Sequence, residues 1–215
     1  MKINCSNLML LMNDISKLTL SDEELQLVNN SHWILTKRVI IEKVYHLFGD
    51  LSDAIKAVVE KEVNWLPLPV IQSMPKISKG ENYLQLPYVL LDHPRCFDAG
   101  NTFAVRTMFW WGNFFSVTLQ LSGPYKKMFE DELYKKLDLL KQENFFLCIN
   151  ENQWQHHFDK DNYIPVHGLS EIEFKQLTGQ MPFIKLAVKF PVQQWNEMPA
   201  ILERSFFVVL GLLKS

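Results

Sequence analysis

The chain has 215 residues, 47% of them hydrophobic, so it is long enough to bury a sizeable core and to form one domain over residues 1–215. It contains 22 Lys and Arg residues and 24 Asp and Glu residues, which gives a formal charge of −2. This balance argues against a nucleic-acid partner, because such binding depends on neutralising phosphates with a basic face.

The cysteine pattern and the chain ends bear on the compartment. Three cysteines, Cys5, Cys96 and Cys148, fit neither a disulfide framework nor a Cys-x-x-Cys metal site. The apolar run 8–12 is too short for a signal peptide, and the run 206–213 is too short to span a membrane. The sequence therefore predicts a soluble cytoplasmic protein with no membrane partner.

The N-terminal part, about residues 20–62, has a helical pattern. Ser21 followed three residues later by Glu24 matches a capping box, so a helix should begin after Ser21. A longer helix is expected to end at Gly49, because glycine commonly terminates helices. A third, short helix then follows over 52–63, and the prolines of the stretch 65–75 predict a connector that is not helical.

Strand patterns dominate the part from about residue 80 to 215. Strands are predicted at 83–91, 101–111, 114–121, 145–150 and 183–190. In the last of these, apolar residues alternate with Lys185 and Lys189, as in a half-buried strand. Helices are expected after Pro124, after Ser170 and from about Pro199 to Leu213. This order predicts an α+β fold, with an antiparallel or mixed sheet that contains a central Gly-Asn hairpin and is covered by helices.

The hairpin fixes the expected environment of one arginine. If residues 112–113 form a two-residue loop, Trp110 pairs with Phe115 and Arg106 pairs with Leu119. Arg106 then lies on an otherwise apolar face, the predicted core, while the opposite face mixes aromatic and hydroxyl side chains. Alternatively, the aromatic tip of the hairpin inserts into a membrane surface or a partner protein. The tip has no basic residue nearby, however, and stable membrane anchoring usually needs one.

Arg106 needs a partner on that face, because a guanidinium keeps its charge and is costly to bury alone. The first interpretation is an internal carboxylate such as Glu81 or Asp92. The second is an anionic ligand, since arginine suits bidentate recognition of carboxylate or phosphate.

Residues 92–98 are predicted to form a polar loop between strands, where ligand-binding residues often lie. The residues expected to bind a ligand are Arg106, Asp92, His93, Arg95 and Trp110. Cys96 lies three residues after His93, but residues so close in sequence rarely form a nucleophile and base pair, so the sequence does not favour cysteine catalysis.

A second polar stretch, residues 153–168, suggests a metal site. His157, Asp159 and His167 are the predicted ligands, and a solvated loop is the alternative. The stretch matches no established metal motif.

No catalytic motif is visible. The eight glycines never come closer than eleven residues, which excludes a P-loop and a Gly-x-Gly-x-x-Gly phosphate cradle. The sequence therefore predicts a binding or interaction protein with a small anionic ligand or a protein partner near Arg106, with a homodimer as one form of assembly. The alternative is a hydrolase or transferase that uses dispersed residues such as Asp92, His93 and His157.

Overall fold

The computed structural model describes residues 18–61, 65–98 and 100–214. Two compact units divide the chain, the first Met1–Lys43 and the second Val44–Ser215. Helix α1 spans Asp22–Asn29, and helix α2 spans Ser31–Lys61. The predicted capping box is confirmed, since the Ser21 hydroxyl accepts a hydrogen bond from the Glu24 backbone and the Glu24 carboxylate accepts one from the Ser21 backbone.

Helix α2 passes through Gly49 without a break, so the predicted stop at Gly49 and the separate third helix are wrong. A glycine inside a helix costs about 1 kcal/mol relative to alanine. Here buried residues continue on both sides of it, with Phe48 before and Leu51 and Ile55 after. Burial of this apolar stripe offsets the local preference of the glycine to end a helix.

The proline-rich connector contains a short helix, α3, at Leu68–Ile71. The prediction that this stretch has no helix is therefore wrong for those four residues. Pro67 is the N-cap of α3, and Pro69 lies in its first turn. A proline is tolerated there because the N–H that it lacks would have no helical partner.

The second unit contains one sheet of seven strands, counted over the described residues. The strands are β1 (Lys76–Tyr83), β2 (Leu86–Asp98), β3 (Asn101–Trp110), β4 (Phe114–Ser122), β5 (Phe146–Cys148), β6 (Tyr163–Pro165) and β7 (Phe183–Pro191). Their order in the sheet is β1-β2-β3-β4-β7-β5-β6, and neighbouring strands are antiparallel. Strands β1 and β6 form its two edges.

Four more helices complete this unit. They are α4 (Pro124–Lys135), α5 (Leu137–Gln142), α6 (Glu171–Gln180) and α7 (Met198–Leu213). The second predicted capping box, Ser170 with Glu173, opens α6. The predicted α+β class is confirmed, with seven helices and an antiparallel sheet in the described chain. No helix of the described residues is both long enough and apolar enough to cross a membrane.

Two predictions are wrong around β2, one of a strand and one of a loop. The predicted strand 83–91 crosses a tight turn, because Leu84 and Gln85 both have positive φ and connect β1 to β2. Neither residue is a usual turn former, which hid the turn from the sequence. Residues 92–98, predicted to be a loop, instead continue β2 past a bulge between Asp92 and Arg95. The bulge accommodates a proline that cannot donate to the ladder.

The β3–β4 pairing differs from the prediction by one residue. Trp110 pairs with Phe114 rather than Phe115, and Arg106 pairs with Thr118 rather than Leu119. The connection contains three residues, 111–113, with Gly112 at a φ of 72°. Because side chains alternate along a strand, this shift moves every β4 side chain to the other face.

The sheet consequently has an apolar face and a polar face. The apolar face, here called the helix face because α4 packs on it, carries Phe103, Val105, Phe109, Phe115, Val117, Leu119 and Leu121. The polar face carries Arg106, Met108, Trp110, Phe114, Ser116, Thr118 and Gln120. On the helix face, the ring of Phe103 contacts Tyr125 and Phe129 of α4. The predicted placement of Arg106 on the apolar core face is wrong, because Arg106 shares its face with hydroxyl and amide groups.

Candidate functional site

The polar face of the sheet is covered by residues 149–162, here called the covering segment, rather than by helices. The Tyr83 hydroxyl accepts hydrogen bonds from the backbone N–H groups of His156, at 2.6 Å, and His157, at 3.0 Å. The Gln120 side-chain amide donates to the Gln153 side chain at 2.7 Å. These contacts satisfy buried polar groups, and they fix the path of a segment that has little regular structure of its own.

Lys185 of β7 is fully buried beneath this segment, at 0% exposure. Its Nζ donates to the carbonyl oxygens of Gln153, at 2.9 Å, and Gln155. Among the described residues no carboxylate forms an ion pair with it. Burial, the largest cause, lowers the pKa of Lys185 to about 8; the nearby Cys148 thiol opposes this shift, and the charge of Arg106 adds to it.

The alternating pattern of β7 predicted a half-buried strand with Lys185 on its outer side, and this is wrong for Lys185. The covering segment lies over that side and supplies carbonyl partners for the ammonium group. Lys189, four residues later on the same face, is exposed as the pattern predicts.

Arg106 is bound within the protein by Asp92. Its Nε lies 2.7 Å from Asp92 Oδ1, and its Nη2 lies 3.0 Å from Oδ2, so the pair is bidentate. Both residues are buried, at 8% and 5% exposure. This confirms the internal-carboxylate interpretation and identifies Asp92, rather than Glu81, as the partner.

His156 occupies the remaining side of the guanidinium, with Nε2 3.3 Å from Arg106 Nη1. Burial is the main cause that lowers the pKa of His156 well below its usual value, and the charges of Lys185, Arg106 and His157 add to it. A neutral imidazole has one acceptor nitrogen, so His156 can accept from the arginine while it stays uncharged.

A cleft of about 460 Å³ opens at the edge of the covering segment. The residues that line it are Lys76, Asp92, Arg95, Phe97, Asp98, Gly100, Thr102, Arg106, Gln153 and Trp154. The rings of Phe97 and Trp154 stand 6.2 Å apart and are 38% and 47% exposed as residues. The cleft thus combines three basic side chains with two accessible aromatic rings.

Arg95 is anchored in this cleft and keeps free hydrogen-bonding capacity. Its Nε donates to the Met74 carbonyl at 3.0 Å, and its backbone N–H donates to the Ser73 hydroxyl at 3.0 Å. Within the described ranges, no hydrogen bond or ion pair engages its two terminal nitrogens. The guanidinium is therefore held in place while two of its nitrogens remain available to an anion.

The structure divides the five predicted ligand-binding residues. Arg106, Asp92 and Arg95 line the cleft together, whereas His93 and Trp110 are not among the lining residues. His93 is buried, and neither ring nitrogen has a hydrogen-bond partner in the described chain. Burial is the largest cause that lowers the pKa of His93 to about 4, followed by the charges of Lys56 and Arg95. The Trp110 ring packs against Tyr83 and Phe114.

The predicted metal ligands are also divided. His157, Asp159 and Asp161 place one ligand atom each within 4.8 Å of the others. His157 Nδ1 lies 3.2 Å from Asp159 Oδ2. His167 lies in the short 3-10 turn Val166–Gly168 and is not part of this group. The sequence prediction grouped His157 and Asp159 with His167, whereas the structure places Asp161 beside them instead.

The residues of the enzyme alternative do not share one site. Asp92 lines the cleft with both oxygens engaged by Arg106. His93 is buried outside the cleft lining, and His157 lies in the covering segment beside Asp159.

Sequence reasoning missed Lys76, Lys185, Gln153 and Trp154. The histidines and carboxylates of the stretch that contains Gln153 and Trp154 indicate metal binding and hide a second signal, because a tryptophan beside two amides also suits ligand contact. Lys76 carried no signal in the sequence, because its place in the cleft depends on how β1 pairs with β2.

No protein-family model matches the chain, and neither does any curated protein sequence or any solved structure.

Proposed function

We propose that the protein is a non-enzymatic binding protein that holds a small anionic molecule in the cleft beside Arg95. The observation that carries the proposal is the anchored guanidinium of Arg95, whose terminal nitrogens have no partner in the described chain. Arginine in this state suits a carboxylate or phosphate group, which accepts two parallel hydrogen bonds.

The charges around the cleft support an anion. Lys76, Arg95 and Arg106 face Asp92 and Asp98 there, three positive groups against two negative ones. Asp92 is committed to Arg106 by two hydrogen bonds. Of the remaining groups, Lys76 and Arg95 leave one positive charge unmatched by Asp98, so an incoming anion would complete the balance.

The two aromatic rings extend this proposal to the rest of the ligand. Phe97 and Trp154 stand at the cleft with about half or less of their surface exposed. Aromatic side chains bury large apolar surfaces when a ligand covers them. A ligand with a carboxylate and a flat apolar body, such as an aromatic acid, therefore fits the cleft better than a bare inorganic ion.

The test is isothermal titration calorimetry with inorganic phosphate, acetate and benzoate, on the wild type and on Arg95→Gln. We expect benzoate to bind most tightly of the three anions. Arg95→Gln should raise the Kd of benzoate by roughly tenfold to a hundredfold, because a charged hydrogen bond contributes about 1.5–3 kcal/mol. Lys79→Gln is the matched control, since Lys79 is exposed on β1 and does not line the cleft. Equal binding by wild type and Arg95→Gln would contradict the proposal.

We further propose a cytoplasmic location. Cys96 and Cys148 are free thiols, which a reducing compartment maintains. Cell fractionation that recovers the chain with secreted proteins would contradict this part of the proposal.

A further inference from the structure

Residues 18–43, here called the N-terminal arm, expose an unusual amount of apolar surface. Helix α1 contains no buried residue, and the buried residues of α2 begin only at Val44. Of the eighteen large hydrophobic residues exposed in the described chain, nine lie between residues 18 and 39. Such a concentration in one short stretch indicates an interaction surface, because isolated exposed apolar residues are normal but contiguous groups are not.

The length of α1 also bears on this surface. Helix α1 has eight residues, and helices of this length are marginal in water without packing. Leu25 and Leu27 of α1 are 50% and 53% exposed, and Ile34 of α2 is 51% exposed. A partner that covered these side chains would stabilise the contact by about 25 cal/mol for every Å² of apolar surface removed from water.

Helix α2 carries an apolar stripe whose later residues are buried and whose first residue is exposed. Ile34, Ile41, Phe48 and Ile55 follow one another at seven-residue intervals, so they lie on the same side of the helix. Phe48 and Ile55 are 0% and 2% exposed, whereas Ile34 is half exposed. The stripe begins about three turns before Val44, the first buried residue of α2, and an apolar stripe that continues past the buried part of a helix is typical of an interface.

The charges of the arm indicate what covers it. The first turn of α1 carries Asp22, Glu23 and Glu24, and its last turn has no basic residue. The N-terminal part of α2 carries Arg38 and Lys43, with Glu42 as the only acid in the stretch 31–43. The arm therefore contains both an acidic helix and a basic helical stretch.

An acidic and a basic stretch in the same arm are complementary when two arms meet about a two-fold axis. In such a contact the same patch is used by both chains, so α1 of one chain faces the basic part of α2 of the other. An anionic membrane surface would attract the basic part and repel the three acids of α1. The charge pattern thus favours a second copy of this chain over lipid.

We propose that the N-terminal arm is a homodimer interface, in which α1 of one chain packs against residues 31–43 of its partner.

The first test is sedimentation velocity of the full chain over roughly 1–50 μM. We expect a dimer, and we expect the pair of substitutions Leu27→Glu and Ile34→Glu to weaken its Kd at least tenfold while the circular dichroism spectrum stays helical. Ile172→Glu is the matched control, because Ile172 is 78% exposed on α6, outside the arm. A wild-type chain that is monomeric throughout, or a dimer unaffected by the arm substitutions, would overturn the proposal.

A charge exchange tests the arrangement of the two helices. Arg38→Glu alone should weaken the dimer, and adding Glu23→Lys in the same chain should restore part of the lost affinity, because the two charges trade places across the interface. The absence of any recovery in the double variant would overturn the proposed pairing of α1 with α2. Co-sedimentation of a monomeric wild-type chain with phosphatidylserine vesicles would overturn the dimer in favour of a lipid surface.

Discussion

The two faces of the sheet are both buried, but their stability depends on different interactions. The helix face is filled by apolar side chains such as Leu119 that pack without needing specific partners. The polar face buries an arginine and a lysine, each held by particular oxygen atoms of β2 or of the covering segment. The comparison shows that a face with buried charges depends on a complete set of hydrogen bonds, whereas an apolar face depends on volume.

The largest loss of stability is expected for a substitution on the polar face. Arg106→Leu leaves Asp92 buried without its partner, so we expect a loss of about 3–5 kcal/mol in the free energy of unfolding. Urea denaturation measures this loss. Lys175→Leu is the control, because it removes an exposed ion pair with Glu171 and should cost less than about 1 kcal/mol. A stable Arg106→Leu variant would show that the pair is not required for folding.

The next largest loss of stability is expected for a substitution on the helix face. Leu119→Ala should lower the free energy of unfolding by about 2–5 kcal/mol, because it leaves a cavity in a fully buried position. Benzoate affinity, corrected for the folded fraction, should stay unchanged, since Leu119 does not line the cleft. If that affinity falls as well, the two faces are coupled more closely than their separate packing indicates.

A pH experiment sharpens the comparison at Lys185. The folded-state pKa of Lys185 is lowered to about 8 from 10.5, so the unfolded chain binds more protons between these pH values. The contribution of Lys185 to stability therefore rises as the pH increases from about 8 to 10.5. Lys185→Met should remove this rise, and Lys189→Met should keep it.

Other groups titrate in the same window, so the wild type must be compared with each variant at every pH. Burial is the main cause that raises the pKa of the Cys148 thiol and of the Tyr163 hydroxyl, which makes their contributions fall as the pH rises. Urea midpoints at pH 7.5 and 10 provide the measurement. An identical pH dependence in the wild type and Lys185→Met would contradict the assigned role of burial.

The smallest effect on stability is expected at the cleft. Trp154→Ala removes a half-exposed ring, so the free energy of unfolding should change by less than about 0.5 kcal/mol. Benzoate should nevertheless bind several-fold more weakly, while acetate binding should change little. Equal losses for both acids would show that Trp154 does not contact the apolar part of the ligand.

The elements that the sequence predicted correctly depend on local signals. The capping boxes at Ser21 and Ser170 mark helix starts through contacts within four residues. The strands β3 and β4 follow from runs of β-branched and aromatic residues. Such signals are enough for the α+β class, because the order of helices and strands constrains the architecture.

The elements that the sequence did not predict depend on distant contacts. A two-residue and a three-residue loop around Gly112 are equally compatible with the sequence, yet they place Arg106 beside different partners. The burial of Lys185 depends on a segment more than twenty residues away along the chain. The cleft could be predicted only in part. Arg95, Arg106 and Asp92 lie in segments that the sequence marked as polar or charged, whereas Lys76 reaches the cleft through the pairing of β1 with β2 and Trp154 through the covering segment.

Lys76 lies on β1, an edge strand of the sheet, and also lines the cleft. Charged side chains on an edge discourage unwanted strand pairing between molecules, and lysine is well suited to that purpose. The same ammonium group contributes positive charge to the anion site that we propose. A substitution such as Lys76→Val would therefore be expected to change colloidal behaviour and ligand affinity together, which links the solubility of this protein to its binding chemistry.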